Sequence, residues 1–509
     1  MKRLTSLLLA AIAALYFANA SAAPQAPAKP AMAATAAAAP AAVPQAKQFD
    51  ADKATREWLD TLSPEARKKS DAYFEGGYWL ILWDFVVGIA VAWLFLGTRL
   101  SARMRDLGQY LSDAGWLQYI YAFMQGVFLL CILPAALVML CFSNIRAAMF
   151  RLPGSAAGFK WPVTFWYAAF YIVLSSLFTL PWVIYEGWFR EHQYGMSNQA
   201  LGGFLGDELT GLVIGLIFGI IAIPIVYAVI RKFTRTWWIW GAVVGVVFIV
   251  FSVAIGPTYL EPAFNKFYPL ADSPLKQDIL SLARANGIPA KDVYEFDASK
   301  QTKRMSAHVS GIGGTTQISM NDNLMNRASP GEIKAVLGHE MGHYVLHHVF
   351  HGIFEFSILI VIGFAFVKWA FDKVRARWGA NWGIRDVGDV AGLPLLGALF
   401  TVFMFVLTPI NNTLTRTQEA EADAFGLNAA RQPDGFAQAA IHLSEYRKME
   451  PGKWEEILFY DHPSGYNRIH RAMVWKAENI DTPDIKAYDA AHPVIAMPPE
   501  PQPEAAPAK

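Results

Sequence analysis

A histidine-rich segment, LGHEMGHYVLHHVFHGIFEF at residues 337–356, carries five of the chain's eleven histidines. Within it, His339, Glu340 and His343 form an HExxH motif. Residues four apart share one face of a helix, so both imidazoles can bind a single Zn²⁺ ion. A glutamate beside that face can act as general base towards metal-activated water, which then attacks a carbonyl group. The motif indicates hydrolytic metal chemistry, but alone it also fits a helix with solvated histidines at a membrane interface.

The residues before the motif predict the helix that carries it. Ser329 and Glu332 fit a capping box around Pro330, a favoured first helical residue. No helix breaker follows before Gly352, so we expect one helix to continue from Pro330 through an apolar stretch to Phe371. This continuity would hold the motif at the mouth of a membrane-spanning region.

His347 is the nearest competitor for the place of a third metal ligand. Ligands at 339, 343 and 347 would span about 12 Å of a straight helix, too far for one ion. A site built from His343 and His347 would put Tyr344 where the general base belongs. We therefore expect His347, His348 and His351 to lie at the membrane interface or to support the ligands from behind.

A better third ligand lies in TRTQEAEADAFG, residues 415–426. Glu419 and Asp423 are four apart and share one helix face. A Glu419 carboxylate would complete a two-histidine site and leave one position for water, as catalytic zinc requires. Asp423 can then accept the second N–H of a ligand histidine, whereas Glu421 fits a solvated helix face. Further along, His462 and Arg468 are candidate donors to a developing oxyanion.

Composition places the chain among membrane proteins. Hydrophobic residues make up 54% and charged residues 17% of its 509 positions, whereas soluble domains contain about 45–50% and about 25%. The net charge of +1 gives no reason to expect a nucleic-acid partner. Cys131 and Cys141 lie in one apolar segment, ten positions apart, and cannot form a disulfide with each other.

Seven apolar stretches are long enough to cross a lipid bilayer, which takes about 20 residues. Trp and Tyr lie at many of their ends, as in the aromatic belts of membrane helices. Asp84, Glu186 and Glu355 are acids at membrane depth, where a charge is costly and commonly functional. Glu186 also fits a side chain that reaches an interface, and Asp84 fits such a side chain and one that faces a wet interior equally well. The stretches are 78–97, 119–142, 163–187, 209–230, 236–256, 350–371 and 391–411.

The two ends of the chain predict segments outside the folded protein. The basic start, apolar run and Ala-Asn-Ala sequence at 18–20 predict a signal peptide, or otherwise an uncleaved anchor helix. Ala- and Pro-rich segments follow it and close the chain, and these predict a tether and a tail. The predicted organisation begins with signal peptide 1–22, tether 23–49, and an N-terminal helix with spans one to five at 50–257. A domain with hydrolytic metal chemistry is formed by 258–349, which carries the HExxH motif, and by 413–485, which carries the candidate ligand Glu419. Spans six and seven, 350–412, lie between those two segments, and the tail is 486–509.

The polar segment after the fifth span predicts mixed α and β structure. SPLKQDILSLARANG is an amphipathic helix with a glycine stop, and DVYEFDASK, TTQISMND and RMSAHV are rich in strand residues. SGIGG supplies a turn between the last two strands along the chain. With an N-terminus outside the cytoplasm, this segment and the C-terminus lie in the cytoplasm, although basic residues at 231–235 and 368–385 favour the opposite orientation.

With these motifs in family order, the chain resembles the seven-span zinc metalloproteases typified by the type I CAAX prenyl endopeptidase. The matching segments are FREHQYGMSNQ, PAFNKFYPL, GHEMGH, TRTQEAEADAFG and DHPSGYNR. The resemblance implies a mainly α integral membrane protein, in which a seven-helix barrel encloses a chamber and carries a gluzincin-like zinc domain with a small β-sheet. It implies one Zn²⁺ per chain on His339, His343 and Glu419, Glu340 as base, Asp423 behind a ligand, and His462 and Arg468 stabilising the intermediate.

The resemblance also implies a substrate class. Peptide or membrane-associated protein substrates would lie along an edge strand near RMSAHVSG, with CAAX-type C-terminal processing or membrane-protein quality control as the outcome. Ser306-Ala307 departs from the family's Asn-Ala at that strand. The signal and tether are typical of bacteria, which generally lack prenylated proteins, so we expect a bacterial inner-membrane enzyme with a cytoplasmic site. Its partners would be the bilayer and its substrates, and a monomer is the simplest state.

Other interpretations fit fewer residues. A site-2-type intramembrane protease needs an aspartate in an apolar LDG-like segment, and the nearest string is Pro433-Asp434-Gly435 in a polar turn. A retinal protein needs a lysine in the seventh span, and 391–411 contains none. A transporter predicts broken helices and repeat symmetry, which the chain lacks. An inert zinc-binding scaffold stays open, although an intact Glu340 opposes it.

Overall fold

The computed structural model describes residues 49–113, 161–311 and 316–491. The predicted signal peptide, the tether up to residue 48 and the second predicted span, 119–142, lie outside these residues. So does the predicted tail from residue 492 onward. Residues 486–491 of that tail instead complete a helix, because Ile485 is buried and Asp489 pairs with Lys476 at 2.8 Å.

Long helices dominate the first half of the described chain. After α4, the chain continues through a π-helical segment, Ile184–Arg190, and a single turn, Glu191–Gln193. The helices are α1 (Ala51–Leu59), α2 (Pro64–Gly97), α3 (Leu100–Asp113), α4 (Trp161–Val183), α5 (Leu201–Lys232) and α6 (Trp237–Ile255).

The second half combines a small sheet with two further long helices. Its elements are β1 (Phe267–Pro269), α7 (Pro274–Ala285), β2 (Val293–Phe296), β3 (Ala307–Ser310), β4 (Gln317–Asn321), α8 (Asp322–Arg327), α9 (Pro330–Val345), α10 (His348–Trp382), α11 (Leu393–Ala430), α12 (Pro433–Leu443), α13 (Lys453–Phe459), α14 (Gly465–Asn479) and α15 (Pro483–Ala491).

Six helices among the described residues are long and apolar enough to cross a membrane, and they match six of the seven predicted spans. They are α2, α4 with the turns after it, α5, α6, α10 and α11. In the order α2, α4, α5, α6, α10, α11, each packs against the next, and α11 returns to α2. The described spans therefore form a closed ring.

Aromatic residues close the end of this ring that lies away from the HExxH motif. Phe95 lies near the end of α2, Tyr167 lies near the start of α4, and Trp237 begins α6. These residues pack with their neighbours into one buried cluster. A buried ion pair lies at the same end, where Arg105 Nη1 is 2.6 Å from Asp389 Oδ2. The opposite ends of α10 and α11 therefore lie next to the helix that carries the HExxH motif.

The small sheet is formed by the polar segment that follows the fifth predicted span. Its strand order is β1-β2-β4-β3, with β2 and β4 parallel and the outer pairs antiparallel. The three predicted strands are confirmed, and β3, the strand of RMSAHV, lies at an edge. The predicted helix after the fifth span is also confirmed as α7, capped by the Ser273 side chain and followed by Gly287 in the left-handed region at φ 70°. β1 was not predicted, because three residues are too few to show alternation.

The helix that carries the motif ends earlier than its sequence predicts. Ser329 and Glu332 form the expected capping box, but α9 stops at Val345 instead of continuing to Phe371. His347 adopts a left-handed conformation at φ 58°, and α10 begins at the next residue. Predicted continuity was wrong because neither glycine nor proline marks this break, and a non-glycine residue rarely takes positive φ.

Helix α11, in contrast, is longer than predicted. It runs without interruption from the seventh predicted span into TRTQEAEADAFG, so the span and Glu419 belong to one rigid element. It packs closely on α9 because small residues face each other. A Cβ atom on Gly426 would lie 2.7 Å from the backbone nitrogen of His339, and one on Gly342 would lie 3.1 Å from Ala422 Cα. This close approach sets the distance between the two chemistry-bearing helices.

We predict that Gly426→Ala destabilises the protein by about 1–3 kcal/mol, because the added methyl group forces two packed backbones apart. Thermal unfolding in detergent measures the change. Gly211→Ala is the matched control, since a Cβ atom there meets nothing within 4 Å. The control variant should be as stable as the wild type, or more stable by up to about 1 kcal/mol. Equal melting temperatures for both variants would contradict the close-packing argument.

Candidate metal centre

Three side chains from two helices converge on one point. His339 and His343 come from α9 and Glu419 from α11, and one ligand atom from each lies within 4.8 Å of the others. His339 Nε2 is 3.2 Å from Glu419 Oε2, and His343 Nε2 is 3.4 Å from Glu419 Oε1. These are the three ligands that the sequence and the resemblance predict.

The arrangement of these atoms fits a bound metal ion. The Nε2 atoms of His339 and His343 face each other at 3.1 Å, close enough for both to contact one ion. Glu419 Oε2 is buried and makes no conventional hydrogen bond among the described residues. Two imidazoles and a carboxylate form a donor set that suits a divalent transition metal. The three residues therefore fit the metal that the motif predicts.

Asp423 lies directly behind the first ligand histidine. Its carboxylate is fully buried and 2.8 Å from His339 Nδ1. Arg468 donates to both of its oxygens, at 2.5 and 3.1 Å, and Arg471 lies at 3.3 Å. Burial alone lowers the pKa of His339, but the nearby carboxylates of Asp423 and Glu419 outweigh it and raise that pKa to about 9. Because Asp423 accepts from Nδ1, the Nε2 atom of His339 is free to face the ligand cluster.

Glu340 lies in the wall of a cavity of about 170 Å³ beside the ligand cluster. Burial raises the pKa of Glu340, while the charges of His339 and His343 act in the opposite direction. A carboxylate whose pKa is raised towards neutrality is suited to accept and return a proton. The cavity lies between edge strand β3 and α12. Ala307 of β3 and Phe436 of α12 line it.

The two candidate oxyanion donors reach the same cavity. His462 Nε2 lies 3.2 Å from Glu419 Oε2, and its Nδ1 lies 2.8 Å from Asp461 Oδ1. Burial acts to lower the pKa of Arg468, but Asp423 outweighs it and raises that pKa, so the guanidinium stays charged. All seven predicted site residues therefore meet in one region. Tyr446 and Arg447 also line the cavity, and no local motif marks them in the sequence.

The other histidines of the opening segment separate into two environments. His347 is exposed at the helix break, whereas His348 is buried with its Nδ1 atom 2.9 Å from Nδ1 of His343. Glu421 is exposed, but it is not only a solvated residue, since its Oε2 atom lies 3.2 Å from His348 Nε2. This contact was missed because it joins two helices that are remote in sequence.

Acidic residues outside the cluster have structural partners. Asp434 of the PDG string pairs with Lys476 at 2.6 Å, which removes the support for a site-2-type centre. Asp84 accepts a hydrogen bond from Trp182 Nε1 at 2.6 Å and links α2 to α4. Glu355 accepts one from Gln418 at 2.9 Å.

Two family models match consecutive regions of the chain. The model of the CAAX prenyl protease N-terminal region, described as five membrane helices, matches residues 50–266. The model of peptidase family M48 matches residues 269–476, which contain the whole ligand cluster. Together they account for nearly all of the described residues, and the first agrees with the five spans predicted before residue 258.

Individual proteins give the same result. YhfN, an uncharacterized metalloprotease of Bacillus subtilis (strain 168), is 29% identical over 311 residues, covering 60% of this chain and 72% of that protein. A CAAX prenyl protease 1 homolog of Dictyostelium discoideum is 28% identical over 323 residues, covering 62% and 72%. The crystal structure of S. mikatae Ste24p shares the fold at a TM-score of 0.55 and 20% identity, covering 76% of this chain and 98% of that one. The chain thus belongs to peptidase family M48 and is an integral-membrane metalloprotease.

Proposed function

We propose that this metalloprotease is a zinc-dependent endopeptidase with one Zn²⁺ per chain, held by His339, His343 and Glu419. The observation that carries the proposal is the convergence of these three side chains beside a cavity that Glu340 lines. Two histidines with one carboxylate are a ligand set of catalytic zinc and leave a position for water. When bound, zinc supplies a Lewis acid that polarises a peptide carbonyl and makes water a stronger acid.

Glu340 is the proposed general base. Its raised pKa lets it take a proton from the attacking water and pass that proton to the leaving amine nitrogen. Asp423 keeps the Nδ1 proton of His339 in place during this transfer, because its carboxylate is itself neutralised by Arg468. The proton path therefore runs through Glu340 alone.

His462 and Arg468 are the proposed donors to the carbonyl oxygen as it gains negative charge. Both line the cavity, and a preorganised donor of this kind typically contributes about 10²–10³ in rate. His462 can donate through Nε2 when Nδ1 is held by Asp461. Arg468 reaches the cavity while paired with Asp423, so its charge is partly shared.

The proposed substrates are peptide segments of membrane-associated proteins, bound in extended form along β3. Only one side of β3 pairs with another described strand, and Ala307 brings its free edge to the cavity. Backbone pairing demands little side-chain sequence, which suits either C-terminal processing or removal of damaged membrane proteins. The names of several relatives, CAAX prenyl protease 1 homologs, favour C-terminal processing. We place the enzyme as a monomer in a bacterial inner membrane, with its site on the cytoplasmic side.

We predict that Glu340→Gln lowers peptide hydrolysis by at least about 10²-fold while zinc stays bound, because the amide cannot accept the proton and is not a ligand. Metal content and cleavage of a generic peptide measure the two effects. Glu478→Gln, an exposed carboxylate on α14, is the control and should cleave as the wild type does. Removing zinc with a chelator should abolish cleavage, and added zinc should restore it. Zinc-bound wild-type protein that cleaves no more peptide than Glu340→Gln would favour the inert scaffold.

We predict that His462→Ala lowers kcat by about 10²-fold with little change in KM or in zinc content, because one oxyanion donor is lost. Because His462 Nε2 lies 3.2 Å from Glu419 Oε2, the zinc content of the variant must be measured to separate loss of a donor from loss of the metal. Loss of zinc from this variant would show that His462 is a ligand and would contradict the proposed role.

A further inference from the structure

The second ligand histidine has a hydrogen-bond partner on the side of its ring that faces away from the metal cluster. Nε2 of His343 faces His339 and Glu419, whereas Nδ1 lies 2.9 Å from Nδ1 of His348. The two rings meet edge to face at 72°. On its other side, His348 Nε2 lies 3.2 Å from the Glu421 carboxylate. A row of three side chains thus ends at a metal ligand.

The helix break at His347 is what makes this contact possible. In a continuous helix, residues five apart point about 140° away from each other around the axis. His343 and His348 would then face different surroundings. The left-handed backbone of His347 ends α9 and starts α10 in a new direction, which brings His348 back against His343. Backbone strain of this kind is concentrated at functional sites.

Hydrogen-bonding rules allow only one arrangement of the ring protons along His343, His348 and Glu421. A His343 ring that binds a metal through Nε2 carries its proton on Nδ1 and donates it. His348 Nδ1 must accept, so the His348 proton is on Nε2, where Glu421 accepts it. Each group has one partner of the correct kind. The order also excludes His348 as a fourth ligand, because its Nδ1 atom is occupied and faces the wrong side of His343.

We propose that His348 and Glu421 position His343 for metal binding, by fixing the orientation of its ring and keeping its proton on Nδ1. The proposal rests on the assignment of His343 as a zinc ligand. The two ligand histidines are then held by different means. Asp423 holds His339 from a fully buried place, whereas Glu421, 57% exposed, holds His343 through the buried ring of His348. The Glu421 end of the row lies at the protein surface, where it can be changed without disturbing the core.

The test is the zinc affinity of the purified full chain, measured by competition with a chromogenic chelator. Outer partners of ligand histidines typically contribute about 10–100-fold in metal affinity. We expect His348→Leu to bind zinc about 10–100-fold more weakly. His348→Asn should recover most of this loss, because its amide oxygen can accept from His343 Nδ1. Cobalt-substituted protein adds a second readout, since the visible absorption bands of the Leu variant should shift with the ligand geometry.

Changes at Glu421 keep the test valid if His348→Leu folds poorly. Glu421→Ala should weaken zinc binding several-fold, and Glu421→Gln should not, because its amide oxygen still accepts from His348 Nε2. Glu478→Ala is the exposed control and should bind zinc as the wild type does. Wild-type affinity and cobalt spectrum in Glu421→Ala, or equal losses in His348→Asn and a folded His348→Leu, would overturn the proposal. A wild-type protein that binds no zinc would instead refute the proposed function itself.

Discussion

The close packing of α9 against α11 is the constraint on which the functional site depends. One helix carries both histidines of the motif, and the other carries Glu419 and Asp423, which the chain reaches only after two further spans. Gly342 and Gly426 allow the two backbones to approach until carboxylates meet imidazoles. The ligand cluster therefore exists only when α9 packs against α11.

Buried charge follows from that packing and is balanced locally. Asp423 is fully buried, and an unpaired carboxylate there would be strongly destabilising. His339, Arg468 and Arg471 surround it, and Arg468 in turn faces the cavity beside Glu340. The same charges that make burial of Asp423 tolerable thus hold the His339 ring and place the Arg468 cation at the cavity. One network of charges around Asp423 therefore serves both the packing of the helices and the proposed chemistry.

Local patterns in the sequence predicted much of this arrangement. The spacing of His339 and His343, the capping box at Ser329, and the four-residue step from Glu419 to Asp423 are short-range signals that a helix converts directly into geometry. Strand β3 was predicted from its composition, and its place at the sheet edge from the family resemblance. Six of the seven predicted spans are described and confirmed, because apolar length alone identifies a crossing.

Features set by tertiary contacts could not be predicted in this way. The break at His347 carries no glycine or proline, so no local signal marks it. The contact between Glu421 and His348 joins two helices that are remote in sequence, and Tyr446 enters the cavity from a turn without a motif. Each depends on where whole helices lie, which no local window of sequence contains.

X-ray absorption at the zinc edge of the metal-loaded protein tests the central claim most directly. The account predicts one zinc per chain, with two imidazole nitrogens and one carboxylate oxygen, all at about 2.0–2.2 Å, and a light fourth ligand. Scattering from two imidazole rings and no more would agree with His339 and His343. A third imidazole, a sulfur shell or no stoichiometric zinc would contradict a site built from one face of α9 and one face of α11.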